Sequence, residues 1–313
     1  MQPARPAPIL HEIPGNAAPS GAIVEMVTTA DGRRLRTARW PAITGQAKGT
    51  ICLFQGRSEF IEKYFEVISD LRARGFAVAT LDWRGQGGSD RLMPDHRRGH
   101  VDDFADYRLD VDVFMRRVAL SDCPPPFFAL AHSMGAAVLF DMLSDRPLWF
   151  ERFVAVGPMI GLPDLAPGSR LLALALRGLG MGRWKVPFMS LRAVQLSPFA
   201  GNPVTLDPAR YGRAADVIRA APRLGIGAPT VGWVDEAFRV MERLRDPDFG
   251  QRWRTPTLIV AAGVDRVVST EAAEAFGRSL RVTRTITIPG ALHELMNERD
   301  QVRDLFFAAF DAF

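Results

Sequence analysis

Six apolar runs alternate along this chain with stretches of helical periodicity, and that alternation leaves few folds open. The runs are GTICLF (49–54), FAVATL (76–81), PFFALA (126–131), RFVAVG (152–157), PTLIVAAG (256–263) and RTITIPG (284–290). Helical patterns occupy 59–73, 101–120, 134–144, 270–280 and about 300–311, and Phe104, Tyr107, Val111, Phe114 and Val118 share one face of the second. A strand that is apolar throughout has no face for water, so it belongs in a parallel sheet covered by helices on both sides. Two further β-type runs, 22–29 and 33–40, are joined by Asp31-Gly32, a hairpin signal. The expected fold class is therefore α/β, with a mostly parallel sheet covered on both faces.

One stretch breaks the alternation. Residues 163–250 hold no clear strand, but they hold many Pro and Gly, short helical patterns and large side chains such as Trp184, Phe188, Met189, Phe199, Trp233 and Phe238. A structureless loop of that length and aromatic content is implausible in a folded domain. The stretch reads as a helical cap inserted in a core of 22–162 and 251–313. The Pro- and Ala-rich residues 1–21 read as an extended tail without the apolar segment of an export signal. The apolar stretch 171–181 is too short to span a bilayer and is broken by Arg177, Gly178 and Gly180.

Composition narrows the function classes. Cys52 and Cys123 form no disulfide framework and no metal spacing, which fits a reducing, cytoplasmic compartment. The net charge of +4 rests almost wholly on arginine; Lys48, Lys63 and Lys185 are the lysines. Such an excess suits an anionic membrane surface or substrate, and equally a codon bias. The arginines are scattered, so no nucleic-acid partner is expected.

The chemistry is carried by LAHSMGA, 130–136. Ser133 follows a buried strand and precedes a helix, and its neighbours two residues away, Ala131 and Gly135, are small. A serine nucleophile on a tight strand-to-helix turn needs such neighbours so that backbones can pass closely. The bland alternative is a helix-capping serine. A nucleophilic hydroxyl needs a base, and the base needs an orienting carboxylate. Of the five histidines, His11 lies in the tail, His96 and His100 lie in a polar loop, and His132 adjoins the serine and must point elsewhere. His293 remains, after the last strand, and Asp265 follows the strand before it. Loops at the carboxyl ends of parallel strands converge, and the order Ser133, Asp265, His293 suits this architecture. A tetrahedral oxyanion needs two N–H donors. Met134 supplies one, and Arg57, just after Gly56 in QGRSEF, supplies the other through its backbone. Ser58 and Glu59 are expected to cap the next helix. The segment DWRGQGGSDR, 82–91, lacks a phosphate-loop ending and reads as a turn locked by Asp82 and Arg84. No metal and no organic cofactor is expected.

With these residues in view, the chain resembles the bacterial lysophospholipases of the α/β-hydrolase superfamily, kin to monoacylglycerol lipases and grouped with serine-aminopeptidase-like hydrolases. The resemblance runs through 22–160 and 252–300 and is most specific in the block 55–91, then GHVDDFADYRLDV and LAHSMGA. It implies an α/β-hydrolase fold and hydrolysis of the carboxylic ester of a lysophospholipid or monoacylglycerol through an acyl-enzyme. Where monoacylglycerol-cleaving relatives carry His-Gly at the oxyanion loop, this chain has Gln55-Gly56. Gly56, Trp184, Phe188, Phe199 and Trp233 are expected to contact the substrate, a small-molecule lipid ester, with peripheral contact at the inner face of the membrane. The Arg57 side chain either pairs with a headgroup phosphate or is spent on Glu59 or Asp82. Two alternatives stay open. One is an aminopeptidase of the same fold, with Asp235 or Glu236 holding the substrate amine; the other is a non-catalytic hydrolase-fold scaffold. Oligomeric state is not legible.

Overall fold

A computed structural model describes residues 8–43, 45–144, 149–163 and 168–313. The first residues of the expected tail and 164–167 of the expected insertion lie outside the described residues. The described residues form one eight-stranded sheet. Its strands are β1 (Ile23–Thr28), β2 (Arg34–Trp40), β3 (Thr50–Phe54), β4 (Ala77–Leu81), β5 (Phe127–His132), β6 (Arg152–Val156), β7 (Thr257–Ala262) and β8 (Thr283–Ile288). Their spatial order is β1-β2-β4-β3-β5-β6-β7-β8. The hairpin β1–β2 joins antiparallel to β4, and every pairing from β4 to β8 is parallel.

The helices fall where burial demands. In chain order they are α1 (Phe65–Ala73), α2 (Ala105–Phe114), α3 (Leu120–Asp122), α4 (Met134–Leu143), α5 (Ser169–Gly178), α6 (Pro208–Ala220), α7 (Val231–Leu244), α8 (Phe249–Arg252), α9 (Thr270–Ser279) and α10 (Asp300–Ala312). Strand residues alternate between two apolar clusters, as a period of two requires. Cys52, Phe54, Ala129, Ala131, Ile259 and Ala261 face α2, α4 and α9. Ile51, Leu53, Leu130, Leu258 and Val260 face α1 and α10. This two-sided covering is the reason the central strands carry no polar face.

Two expected boundaries moved. Helix α2 begins at Ala105 rather than 101, where Asp103 Oδ1 accepts from the Ala105 N–H at 2.8 Å. The helix expected over 59–73 starts as a 3₁₀ turn, Ile61–Tyr64. Its first N–H is answered by Asp82 Oδ1 at 3.0 Å, which corrects the capping role expected of Ser58 and Glu59.

The inserted segment is helical, with α5 to α7 among its elements, but it is not a detached layer. Trp233, Ala237, Phe238, Val240, Met241 and Leu244 of α7 join the cluster beneath α4. Two sets of backbone bonds tie the insertion to core loops. Residues 227–230 pair with the loop 97–99, and Val204 O accepts from the Glu294 N–H at 2.8 Å. It therefore lies across the carboxyl ends of the strands.

Candidate active site

Strands β3 and β5 are neighbours, but the chain leaves them toward opposite faces of the sheet, through α1 and α4. A crevice opens where parallel connections diverge in this way. The loop after β3 and the turn after β5 meet there.

Ser133 sits between β5 and α4 with φ 52° and ψ −116°, a strained conformation for a residue bearing a Cβ. Its N–H donates to Val156 O at 3.0 Å, and its carbonyl accepts from the Met159 N–H at 3.2 Å, so the neighbouring strand end holds the bend. Gly135 explains the small residue two positions later: a Cβ there would stand 2.5 Å from Gln55 O and 2.8 Å from Phe54 O. Ala131 needs no such exemption, because it lies within β5, paired with Phe54 and Ala155.

The three residues expected from sequence come together. His293 Nε2 lies 3.0 Å from Ser133 Oγ, and His293 Nδ1 lies 2.8 Å from Asp265 Oδ2. Asp265 Oδ1 accepts from the Val267 and Val268 N–H groups at 2.8 and 3.0 Å. Burial by itself would raise the Asp265 carboxyl, but the His293 ring and these two amides hold it below the usual range. A carboxylate facing Nδ1 leaves that nitrogen protonated, which makes Nε2 the acceptor toward the serine hydroxyl. All three are largely shielded, with Ser133 7% and His293 4% exposed. The N–H groups of Arg57 and Met134 have no partner among the described residues. They stand on the two segments that flank Ser133, and a Cβ on Gly56 would approach the Ser133 Cβ at 3.2 Å.

A second layer escaped the sequence reading. Glu59 turns inward, and its Oε2 accepts from the Gly56 N–H and, at 2.7 Å, from Tyr64 Oη. The same oxygen lies 3.0 Å from His132 Nδ1, while Lys63 Nζ donates to Oε1 at 2.7 Å. His132 Nε2 faces His293 O at 3.2 Å. Both ring nitrogens of His132 thus face acceptors, an arrangement that favours the protonated ring. Burial disfavours the charged forms, yet Lys63 and His132 hold Glu59 well down, and Glu59 pushes His132 up. One carboxylate in this way links the oxyanion loop to the residue before the nucleophile and to the backbone of His293. The signal was the i,i+4 spacing of Glu59 and Lys63, which a capping role for Glu59 had absorbed.

The other expectations divide. Asp82 accepts from the Gly88 N–H at 2.7 Å and pairs with Arg36, while Arg84 pairs with Asp31 and Asp110, so both tie down the 82–91 loop. Trp233 is buried against Phe104, with Arg57 over its ring. Phe199 lines a cleft of about 240 Å³ with Leu206, Val264 and Leu292, beside the loops that carry Asp265 and His293. Trp184 is 60% exposed and Phe188 fully so. Neither joins the site, because the turns after α5 point them outward, and the expected substrate contact is corrected for both. Asp235 and Glu236, the carboxylates an aminopeptidase would use, are buried and paired with Arg177 and Arg239. Arg57 pairs with neither Glu59 nor Asp82. Among the described residues no group of three or more His, Cys, Asp or Glu side chains is placed to hold a metal ion.

Residues 45–300 match the family described as "Serine aminopeptidase, S33". Lysophospholipase L2 of Escherichia coli (strain K12) is 30% identical over 299 residues, covering 89% of this chain and 83% of that protein. Monoglyceride lipase of Mus musculus is 26% identical over 278 residues, covering 88% of this chain and 85% of that one. Among solved structures, a soluble variant of monoglyceride lipase from Saccharomyces cerevisiae, in complex with a substrate analog, superposes with a TM-score of 0.75. It shares 18% identity over 94% of this chain and 96% of that one, which speaks for the fold.

Proposed function

The chain belongs to the serine aminopeptidase (S33) family of α/β-hydrolases, and from that premise we propose that it is a carboxylic ester hydrolase acting on single-chain lipids, a lysophospholipid or a monoacylglycerol. The observation that carries this reading is one ring, His293, within hydrogen-bond reach of both Ser133 and Asp265. Ser133 Oγ attacks the ester carbonyl carbon while His293 Nε2 takes its proton. The carbonyl oxygen becomes an oxyanion held by the Arg57 and Met134 N–H groups. The tetrahedral intermediate collapses as the carbon–oxygen bond to the glycerol breaks and His293 returns the proton to the departing alkoxide. Water, activated by the same ring, then frees the fatty acid from Ser133.

Two features favour a lipid ester over an aminoacyl amide. Asp235 and Glu236 are already paired with arginines, so neither is free to hold a substrate amine. The cleft lined by Phe199, Leu206, Val264 and Leu292 suits an acyl chain, each buried methylene of which adds about 0.8 kcal/mol. The exposed side of α5 presents Leu171, Leu172 and Leu174, followed by Leu179, Trp184 and Phe188, and we take this as the surface that meets a lipid interface. No helix among the described residues is long and apolar enough to cross a membrane.

The test is a panel of lysophosphatidylcholines and monoacylglycerols of rising chain length, with aminoacyl amides beside them. Wild type is expected to cleave both lipid esters, with kcat/KM rising about tenfold per two methylenes below the micelle threshold while the cleft has room. Ser133→Ala is expected to lose about 10⁶-fold in rate with its melting temperature kept. Preferred cleavage of aminoacyl amides, or a folded Ser133→Ala protein that still turns over, would refute the proposal.

A further inference from the structure

Arg57 is a cation without an anion. Nη2 donates to Gly227 O at 2.6 Å and Nη1 donates to Ser58 Oγ at 3.0 Å. Its Cζ lies 5.1 Å from the centroid of the Trp233 ring. Nε is buried and has no partner among the described residues. The nearby carboxylates are spent elsewhere: Glu59 on Lys63 and His132, Asp82 on Arg36. Arg36 and Arg84, also deep in the molecule, are matched by two and three carboxylates respectively. Burial pushes the Arg57 guanidinium down to about 10. Both side-chain polar atoms of Gln55, two residues earlier, are also buried without partners. A buried charge left unanswered is costly, so its presence beside a reaction centre calls for a ligand that answers it.

Covalent length matches one part of the substrate. From the Arg57 backbone nitrogen to its Cζ there are about six bonds of side chain. From the carbonyl carbon of a glycerol 1-acyl ester to a phosphorus on the far glycerol oxygen there are also about six. With the oxyanion on the Arg57 N–H, an extended headgroup has the length to carry its phosphate as far as the guanidinium of the same residue. The acyl cleft lies on the other side of Ser133, because β3 and the pair β7–β8 flank β5 from opposite directions. Headgroup and acyl chain are thereby separated. Resting on the esterase reading above, we propose that the Arg57 side chain binds the headgroup phosphodiester and makes lysophospholipids, rather than monoacylglycerols, the preferred substrates.

The experiment compares kcat/KM for a lysophosphatidylcholine and a monoacylglycerol of the same acyl chain, below their micelle thresholds, in wild type, Arg57→Gln and Arg57→Lys. The wild-type preference for the phospholipid is expected to shrink about 10- to 100-fold in Arg57→Gln and less in Arg57→Lys. Glycerophosphocholine, the deacylated product, is expected to compete with substrate better than glycerol or inorganic phosphate, and to lose that advantage in Arg57→Gln. The inhibition of wild type needs no variant and stands even if Arg57→Gln misfolds. An unchanged substrate preference in a folded Arg57→Gln protein would overturn the proposal and leave the esterase intact. So would inhibition by glycerophosphocholine no stronger than by glycerol, or matched by inorganic phosphate. If wild type cleaves neither ester, the esterase reading falls and this one with it.

Discussion

A Cβ at position 135 would meet two backbone carbonyl oxygens, of Phe54 at the end of β3 and of Gln55 after it, not a flexible side chain that could swing away. Gly135→Ala is therefore expected to cost about 1–3 kcal/mol of stability. It is also expected to cost about 100-fold in kcat, since the displaced segment carries the Arg57 N–H. Thermal melting and steady-state kinetics check both, and a folded variant with wild-type kcat would dissociate the glycine from the oxyanion loop. Asp265 offers a second residue-scale test. In Asp265→Asn the side-chain oxygen stays with the Val267 and Val268 N–H groups, which need an acceptor. The amide NH₂ then faces His293 Nδ1 and turns it into an acceptor. The proton moves to Nε2, which can no longer receive one from Ser133. A fall of about 10⁴-fold in kcat with little change in KM is expected. A modest fall, under tenfold, would mean that Asp265 does not set the tautomer.

At the scale of elements, the cap is held to the core by charge as well as by apolar contact. Arg210 and Arg213 of α6 reach Glu66 on α1 at 2.6 and 2.8 Å. Burial would raise the Glu66 carboxyl, but the Arg210 hydrogen bonds and the charges of Arg303 and Arg213 bring it down to about 2. A folded-state value below the unfolded one means stability that is present above about 4.3 and lost as pH falls toward about 2. The thermal stability of wild type should drop through that window, and that of Glu66→Gln should drop less. At neutral pH, Glu66→Gln should be cut faster than wild type by protease between residues 168 and 230. Equal cleavage rates would show that α7, packed into the main cluster beneath α4, holds the cap by itself. Glu66 is only half shielded, so the effect belongs with modest surface pairs rather than with buried ones.

At the scale of the molecule, the outer surface of the cap is apolar where a protein in water would be polar. Leu171, Leu172, Leu179, Trp184 and Phe188 are each at least 60% exposed. Leu172→Ser combined with Phe188→Ser is expected to weaken binding to lipid vesicles several-fold, because each apolar side chain contributes about 1.5–3 kcal/mol on full burial and less at an interface. Sedimentation with vesicles reads this directly. Cleavage of a short, monomeric ester should be unchanged, since neither residue reaches Ser133. Undiminished vesicle binding would remove this surface from the account.

The alternation of apolar runs was enough to call for a parallel sheet with helices on both faces, because such runs have no other stable environment. The places of Ser133, Asp265 and His293 were also legible, because each follows a strand of the parallel sheet and strand ends of one polarity converge. These are local or periodic signals, readable within a few residues. Only the tertiary structure decided which partner each long polar side chain takes. Glu59 left the helix start for His132, and Arg57 found a carbonyl 170 positions away in sequence rather than a carboxylate nearby. Trp184 and Phe188, expected to contact the substrate, face outward because short turns after α5 aim them there. A side chain with several rotatable bonds and several possible partners within reach is placed by whatever packs around it, and that is settled only when distant segments meet.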